Sequence, residues 1–206
     1  MKKKTFVIAL CLALVVAFAA GGAIAWLTDT TDSVTNTFTV GNVKLDLYEH
    51  NADGEEVKEL SFKMIPGTTA TKDPTVEVQK GSEECYVFVR VTETNNDLSD
   101  NRGKLVSYEI AKSADGADGW VALPGVDGVY YYNKTITATD ADVTLQVLKG
   151  ENGGTITFSG AITQADMDAI TNGTATAPTL TFTAYAVQAA GFDSAAKAWT
   201  ETKPAS

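Results

Sequence analysis

The residues that could do chemistry are few, and none has the spacing that a catalytic centre requires. The chain has 206 residues and a single histidine, His50, which lies in a polar turn. Without an HExxH helix or a cysteine–histidine cluster, a zinc protease site has no ligand set. A Ser-His-Asp triad would have to use His50, and no serine lies in a G-x-S-x-G strand–turn–helix context. We therefore interpret His50 as an exposed turn residue without a catalytic role.

Two other patterns that can carry chemistry lack the surrounding residues they require. The glycine-rich segment 150–154 links two predicted strands and lacks the following helix and lysine that bind phosphate. Asp166 and Asp168 are two residues apart on a predicted helix and point to different sides, which argues against a paired acid and base. The residue inventory therefore predicts a protein that is not an enzyme.

Calcium is the one ligand for which suitable residue types are present. The loop 95–101 concentrates hard oxygen ligands, with Asp97, Asp100 and Asn101 as the candidates, and acidic pairs occur at 115/118 and 140/142. Calcium takes about six to eight such oxygens, but none of these loops has the EF-hand spacing. Aspartate and asparagine are also the residues that turns favour. Weak calcium binding and plain turns both remain open, and no other cofactor is expected.

Cysteine is nearly absent, which limits how the fold can be stabilised. Cys11 lies in the N-terminal apolar run, so Cys85 stands alone in the rest of the chain and cannot form an intramolecular disulfide there. Cys85 occupies an inward position of an alternating pattern, and we interpret it as a small buried hydrophobic residue rather than a reactive thiol. The folded domain must therefore be stabilised by its hydrophobic core.

Alternation of apolar and polar residues predicts that most of the chain forms β-strands. Residues 85–94 carry apolar or aromatic side chains on both faces, which predicts a central strand covered on both sides. Tyr130, Tyr131 and Tyr132 cannot all point inward from one strand, so at least one is expected on the surface. The predicted strands are 40–48, 57–64, 75–79, 85–94, 105–110, 120–123, 129–133, 143–148, 155–158 and 180–187.

Helix signals are confined to two short segments and the N-terminus. Residues 162–171 have helical spacing, with Thr163 as the cap and Asn172-Gly173 as the stop, and residues 194–200 are a short alanine-rich candidate. Short strands at about ten-residue spacing with glycine and aspartate turns are typical of sandwiches. The predicted fold is all-β, an antiparallel jelly-roll or β-sandwich with one or two short helices, preceded by an N-terminal signal helix.

The N-terminus has the three parts of an export signal. Three lysines at positions 2–4 are followed by an apolar run over residues 6–20 and by Gly21-Gly22. Ala23 and Ala25 are the small residues of a signal peptidase site, so cleavage is expected before Trp26. The alternative is a retained anchor, but the run of about 15 residues is shorter than the roughly 20 that a membrane-spanning helix needs.

The charge of the chain restricts its partners. The formal net charge is −10, and removal of the three signal lysines makes it more negative. Nucleic acid and anionic membrane surfaces would repel such a protein, so contact with the membrane is expected only during export. The predicted organisation is a signal peptide at 1–25, a strand segment at 26–40, a jelly-roll domain at 41–190 and a C-terminal tail at 191–206.

Three stretches of the sequence resemble one known family. They are GGAIAWLTD with FTVGNVKLDLYE near the N-terminus, IPGTTATKDPTVEVQKGSEECYVFVRV at 65–91, and LTFTAYAVQAAGFDSAAKAW at 180–199. Together they cover about a third of the chain. They are similar to the TasA/camelysin family, secreted biofilm matrix proteins of Gram-positive bacteria that are exported through a SipW-type signal peptidase.

The resemblance implies a jelly-roll fold and a secreted fibre subunit of the extracellular matrix or cell surface. Its partners would be other copies of itself, other envelope or matrix proteins, and the SipW-type signal peptidase. In such fibres the mature N-terminal segment completes the sheet of the next subunit as a donor strand. Residues 26–40 are compatible with that role, since Trp26 becomes a free end on cleavage and Val34, Phe38 and Val40 are apolar anchors at period two.

Three alternatives to a polymerising subunit remain. Residues 26–40 could pair within their own domain, and the protein could then be a secreted binding module or a fibre accessory protein that does not polymerise. The camelysin branch of the family also implies a peptidase. Because no zinc triad is recognisable in this sequence, we do not carry that activity over.

Overall fold

The computed structural model describes residues 42–114 and 117–202, all of which belong to one compact unit. The strands of this part are β1 (Leu45–His50), β2 (Glu56–Val57), β3 (Thr69–Thr71), β4 (Thr75–Val78), β5 (Ser82–Thr94), β6 (Val106–Tyr108), β7 (Trp120–Ala122), β8 (Val129–Tyr132), β9 (Ile136–Ala138), β10 (Val143–Gln146), β11 (Thr155–Phe158) and β12 (Thr179–Gln188). The helices are α1 (Gln164–Thr171) and α2 (Ala195–Thr202). Predicted segments 1–25 and 26–40 lie outside the described residues.

The strands form three sheets in which every ladder is antiparallel. Their orders are β10-β4-β1-β2, β3-β11-β6 and β12-β5-β8-β7, and β9 also pairs with β5. One hydrophobic core draws residues from all three sheets. The prediction of an all-β antiparallel sandwich with one or two short helices is confirmed.

The strand β5 lies at the centre of its sheet. It pairs with β12 over ten residues, from Thr94 opposite Thr179 to Cys85 opposite Gln188, and with β8 and β9 on its other side. Val87 and Val89 are fully buried in the core between the sheets, whereas Phe88 is buried on the opposite face. The prediction of a central strand covered on both faces is therefore confirmed.

Helix α2 covers the outer face of this sheet. Trp199 packs against the ring of Phe88, with 5.1 Å between ring centroids, and meets the ring of Tyr185 edge-on at 5.3 Å. Arg90 places its guanidinium carbon 5.4 Å from the Trp199 ring, an arrangement that favours a cation–π contact. The part of the predicted tail 191–206 that forms α2 is thus packed onto the domain.

Helix α1 has the ends that its sequence predicts. Thr163 is the N-cap and shares a capping box with Asp166, in which each side chain accepts from the other residue's backbone amide. Asn172 ends the helix, and its amide donates to the carbonyl of Asp168 at 2.9 Å. Capping satisfies backbone groups that a short helix leaves unpaired, which explains how eight residues without a fully buried side chain stay helical.

The predicted strand 57–64 is wrong for most of its length. Only Val57 and its neighbour Glu56 pair with β1, and residues 58–64 form no strand. Phe62 and Met64 nevertheless pack against the core. The alternation of apolar residues here therefore reflects alternating burial of side chains, although this segment does not pair with another strand. The sequence pattern missed β3 and β9, which have three residues each.

The three tyrosines of β8 are all half-buried, so the expectation of an exposed one is wrong. Tyr130 and Tyr132 pack against the core between the sheets, and Tyr131 packs against the outer cluster under α2. Because one face of β8 packs against the core and the other against the outer cluster, each ring finds a partly apolar environment.

Candidate functional site

The loop after β5, which carries the calcium candidates, is organised around a buried asparagine. Asn96 is 2% exposed, and its Oδ1 accepts the amide of Val106 while its Nδ2 donates to the carbonyl of the same residue, both at 2.8 Å. These are the two hydrogen bonds that a neighbouring strand would make. The side-chain amide thus takes the place of a strand beside β6 and is not free to bind a ligand.

The remaining candidates in this loop do not converge. The Asp97 carboxylate lies 3.0 Å from the ammonium of Lys104, while Asp100 and Asn101 have left-handed backbone conformations in a short turn. Across residues 42–114 and 117–202, no three histidine, cysteine, aspartate or glutamate side chains group as a metal site would require. Asp97 and Asp100 therefore belong to no such group, and calcium binding stays a prediction.

The other acidic residues singled out from the sequence also contact groups elsewhere in the domain. Asp118 forms an ion pair with Lys134, and its predicted companion at 115 lies outside the described residues. Asp142 accepts the backbone amide of Lys80 at 2.7 Å. Asp166 lies on α1, and Arg102 donates to both oxygens of its carboxylate, at 2.8 and 2.9 Å. Arg102, followed by the Thr163 cap, holds the pKa of Asp166 well below its usual range.

His50 is exposed, as interpreted from the sequence, but it does not lie in a turn. It is the last residue of β1, and its Nδ1 lies 2.6 Å from Oδ2 of the buried Asp73. The other oxygen of that carboxylate accepts the backbone amide of His50 at 2.9 Å. The contact joins β1 to the connection between β3 and β4, which no local sequence pattern indicates.

Cys85 is fully buried, as its alternating position predicted. Burial, with a smaller contribution from the neighbouring Glu84 carboxylate, raises the pKa of its thiol to about 11. A buried neutral thiol is a poor nucleophile and a poor metal ligand. The residue therefore acts as a core residue of β5.

A groove beside β6 was not predicted from the sequence. It has a volume of about 520 Å³, and its lining includes Glu93, Lys104, Tyr108, Lys112 and Tyr130. These residues come from β5, β6, β8 and the adjoining loops, so only the folded sheets bring them together. The lining mixes carboxylates, ammonium groups and phenols, which suits a polar rather than an apolar ligand.

Glu93 organises one end of the groove. Its carboxylate accepts the hydroxyl of Tyr108 at 2.8 Å and the side-chain amide of Asn96 at 2.9 Å, and Lys104 lies at 3.1 Å. Partial burial alone would raise the pKa of Glu93, but these three contacts outweigh it and the pKa is lowered. Burial and the Glu93 carboxylate raise the pKa of Tyr108, so its hydroxyl stays a donor at neutral pH.

The strand β6 borders this groove with an unpaired edge. It is an outer strand of its sheet, paired with β11. The Ser159 amide donates to the Leu105 carbonyl at 2.9 Å, so the odd-numbered residues of this segment carry the ladder to β11. The backbone groups of Val106 and Tyr108 therefore face the other edge. The side chain of Asn96 binds the backbone groups of Val106. The backbone groups of Tyr108 therefore remain available at the edge that faces the groove.

The assembly residues predicted from the sequence, Trp26, Val34, Phe38 and Val40, lie outside the described residues, as does the predicted cleavage site at Ala23 and Ala25. Neither helix of the described part has the length and hydropathy of a membrane-spanning helix. No family model matches the chain, and searches among curated proteins and solved structures return no match.

Proposed function

We propose that this protein is a secreted structural subunit of an extracellular fibre or biofilm matrix in a Gram-positive bacterium. Cleavage before Trp26 by a SipW-type signal peptidase would free the segment 26–40. This segment would leave its own subunit and add a strand to the next one. The observation that supports this proposal best is the unpaired edge of β6 beside a groove.

An incoming strand at this edge would gain main-chain hydrogen bonds from the backbone of Tyr108, and the groove would receive its side chains. The segment 26–40 is rich in threonine and carries Asp29 and Asp32, whereas the groove presents Lys104 and Lys112. Opposite charges at the contact favour one register over others and accelerate association. Because donor and acceptor are different surfaces, the contact propagates into a filament unless it closes into a ring.

Two other sheet edges are less accessible to such a strand. The segment after β2 lies along β1, where the Lys58 ammonium donates to the carbonyl of Leu47 at 2.8 Å. On β7, Trp120 forms a bridge with Lys112. The edge of β6 is covered by the side chain of Asn96 at one residue and is otherwise next to the groove.

The test compares purified chains starting at Trp26 and at Gly41 by negative-stain electron microscopy, at low and high concentration. The longer chain should form filaments and the shorter one monodisperse particles, with circular dichroism showing that both are folded. A chain with Phe38→Asp is the matched control, since it keeps the length of the segment but removes an apolar anchor. Filaments from the shorter chain would show that the segment 26–40 is not the donor.

A secreted binding module or fibre accessory is the second candidate. The groove favours it, because Tyr108 and Tyr130 supply aromatic surface beside Glu93 and Lys104, a combination suited to a polar partner such as a glycan or a protein loop. Monodisperse particles of the longer chain at every concentration would support this candidate over the fibre subunit. Casein hydrolysis that a chelator abolishes would instead support the peptidase.

A further inference from the structure

A lysine and a glutamate face each other in the interior of the domain. Lys72 follows β3 and Glu49 lies in β1, and their side chains are only 8% and 13% exposed. The Lys72 Nζ lies 2.6 Å from Oε1 of Glu49. Charged pairs of this kind are rarely buried, because removing two ions from water costs more than their attraction returns unless further hydrogen bonds satisfy them.

Those further hydrogen bonds are incomplete at this pair. The second carboxylate oxygen, Oε2 of Glu49, is buried and has no hydrogen-bond partner in the described part of the chain. The rings of Phe62 and Phe182 lie 5.6 and 5.3 Å from the Lys72 Nζ. The pair is thus enclosed partly by aromatic carbon, and no second carboxylate of the described residues contacts the lysine.

The backbone on the lysine side of this pair is closely packed. The amide of Lys72 donates to the carbonyl of Gly154 at 3.2 Å, and a Cβ at Gly154 would lie 2.2 Å from the Lys72 carbonyl oxygen. The next residue, Asp73, accepts the backbone amide of His50, the residue after Glu49. The two chain segments are therefore tied together immediately beside the pair, which holds the amine and the carboxyl group in place.

We propose that Lys72 and Glu49 form an intramolecular amide bond that cross-links β1 to the β3–β4 connection. The ammonium first passes a proton to the carboxylate, which gives a neutral amine and a carboxylic acid. The Nζ lone pair then attacks Cδ of Glu49, the C–OH bond breaks, and one water molecule leaves with the oxygen and two protons. No oxidant, reductant or co-reactant is required.

The surroundings favour each part of this step. A low-polarity pocket favours the neutral amine and acid over the ion pair, and a desolvated lysine is a nucleophile. Holding the two groups together replaces an encounter in solution by a reaction within one molecule. The product buries a neutral amide in place of two charges, so the desolvation cost of an ion pair with incomplete hydrogen bonding is removed.

The domain contains a matched pair for comparison. Lys149 and Glu109 also join two segments, with Nζ and Oε2 3.0 Å apart, but their side chains are 70% and 73% exposed. These two side chains face water rather than a low-polarity pocket. Lys149 and Glu109 should therefore remain unlinked, although they are the same residue types at a similar distance. This comparison isolates burial as the cause of the proposed amide bond.

The experiment is the intact mass of purified Trp26–Ser206 under denaturing conditions, followed by protease digestion and peptide sequencing by mass spectrometry. The expected mass is lower than that of the sequence by one water molecule, with a branched peptide joining Lys72 to Glu49. Mapping is necessary because an Asp-Gly pair such as Asp127-Gly128 also loses one water when it forms a succinimide. The peptides with Lys149 and Glu109 should be linear.

A Lys72→Arg variant keeps the positive charge but cannot form this amide, and it should have the full mass of its sequence. Two results would overturn the proposal: a wild-type protein at full mass, or a water loss that maps elsewhere or persists in Lys72→Arg. The wild-type measurement alone decides the question if the variant does not fold. The result is independent of whether the chain forms fibres.

Discussion

The loop 95–103 and the junction between β1 and the β3–β4 connection both depend on polar side chains, but the two regions use them differently. In the loop, Asn96 binds the backbone of Val106, ten residues further along the chain. At the junction, Lys72 binds Glu49 across 23 residues of sequence. The loop satisfies neutral groups of its own neighbourhood, whereas the junction buries charges from two segments that only the fold brings together.

This difference indicates where polar residues contribute most to stability. A buried amide that replaces a strand neighbour contributes the modest net energy of its hydrogen bonds. A buried charge matters far more when its partner is removed, because the remaining ion is left without either water or a counter-ion. The junction should therefore be much more sensitive to single substitutions than the loop, although the loop is the more polar region in sequence.

The largest effect is expected for Lys72→Met. The variant fills a similar volume but leaves Glu49 buried without a cation, which should lower the free energy of unfolding by about 3–5 kcal/mol in urea denaturation. The control is the double variant Lys72→Met with Glu49→Leu. Because no charge then remains buried, the double variant should be more stable than Lys72→Met, although it also lacks the proposed amide cross-link. Equal instability of the single and double variants would show that packing, not charge, dominates the junction.

A smaller effect is expected for Asn96→Ala in the loop. This change leaves the amide and carbonyl of Val106 without their partner, which should lower the free energy of unfolding by about 1–3 kcal/mol. Asp97→Ala in the same loop is the control. Its carboxylate is exposed, so its ion pair with Lys104 should contribute less than about 1 kcal/mol. A larger loss in the control than in Asn96→Ala would contradict the structural role of Asn96.

The same contrast explains what could be predicted from the sequence. The central strand β5 and helix α1 carry their signals locally, in alternating apolar residues and in the Thr163 cap, and both were predicted. The loop was recognised as polar, but the choice of Val106 as the partner of Asn96 depends on how the chain folds back. The contact of His50 with Asp73 was not predicted, because Asp73 comes from a distant segment.

The apolar pattern failed for a related reason. Residues 58–64 alternate like a strand because Phe62 and Met64 are partly buried, yet a strand also needs a neighbour, and no local pattern specifies one. The groove beside β6 was not predictable either, since its lining comes from segments that only sheet formation brings together. Local periodicity therefore predicts which side chains are buried better than it predicts which strands pair.

A pH dependence distinguishes a third kind of polar contact, the half-buried pair of Arg102 and Asp166. Because Arg102 lowers the pKa of Asp166, the pair stabilises the fold above the ordinary carboxyl pKa, and this stabilisation is lost as the pH falls through the lowered value. Arg102→Ala should therefore reduce stability at neutral pH by less than Asn96→Ala does. The difference from wild type should shrink in strong acid, as measured by urea denaturation at several pH values.

The exposed pair of Lys149 and Glu109 is the control for this titration. Because both side chains are mostly exposed, Lys149→Ala should leave the acid dependence of unfolding unchanged. A difference between Arg102→Ala and wild type that stays constant from neutral pH to strong acid would contradict the electrostatic explanation. It would point instead to the hydrogen bonds that Arg102 donates to the backbone of Ser99 and Ala161.

The smallest effect is expected from calcium. In the loop, the Asn96 amide is bound to Val106 and the Asp97 carboxylate to Lys104, so a cation would have to displace existing contacts to collect its oxygens. Adding calcium or a chelator should therefore leave the thermal unfolding midpoint nearly unchanged. A midpoint that rises steadily with calcium concentration, and no longer does so in Asp97→Ala, would show that the loop rearranges to bind the ion. The loop would then gain stability from a bound ligand.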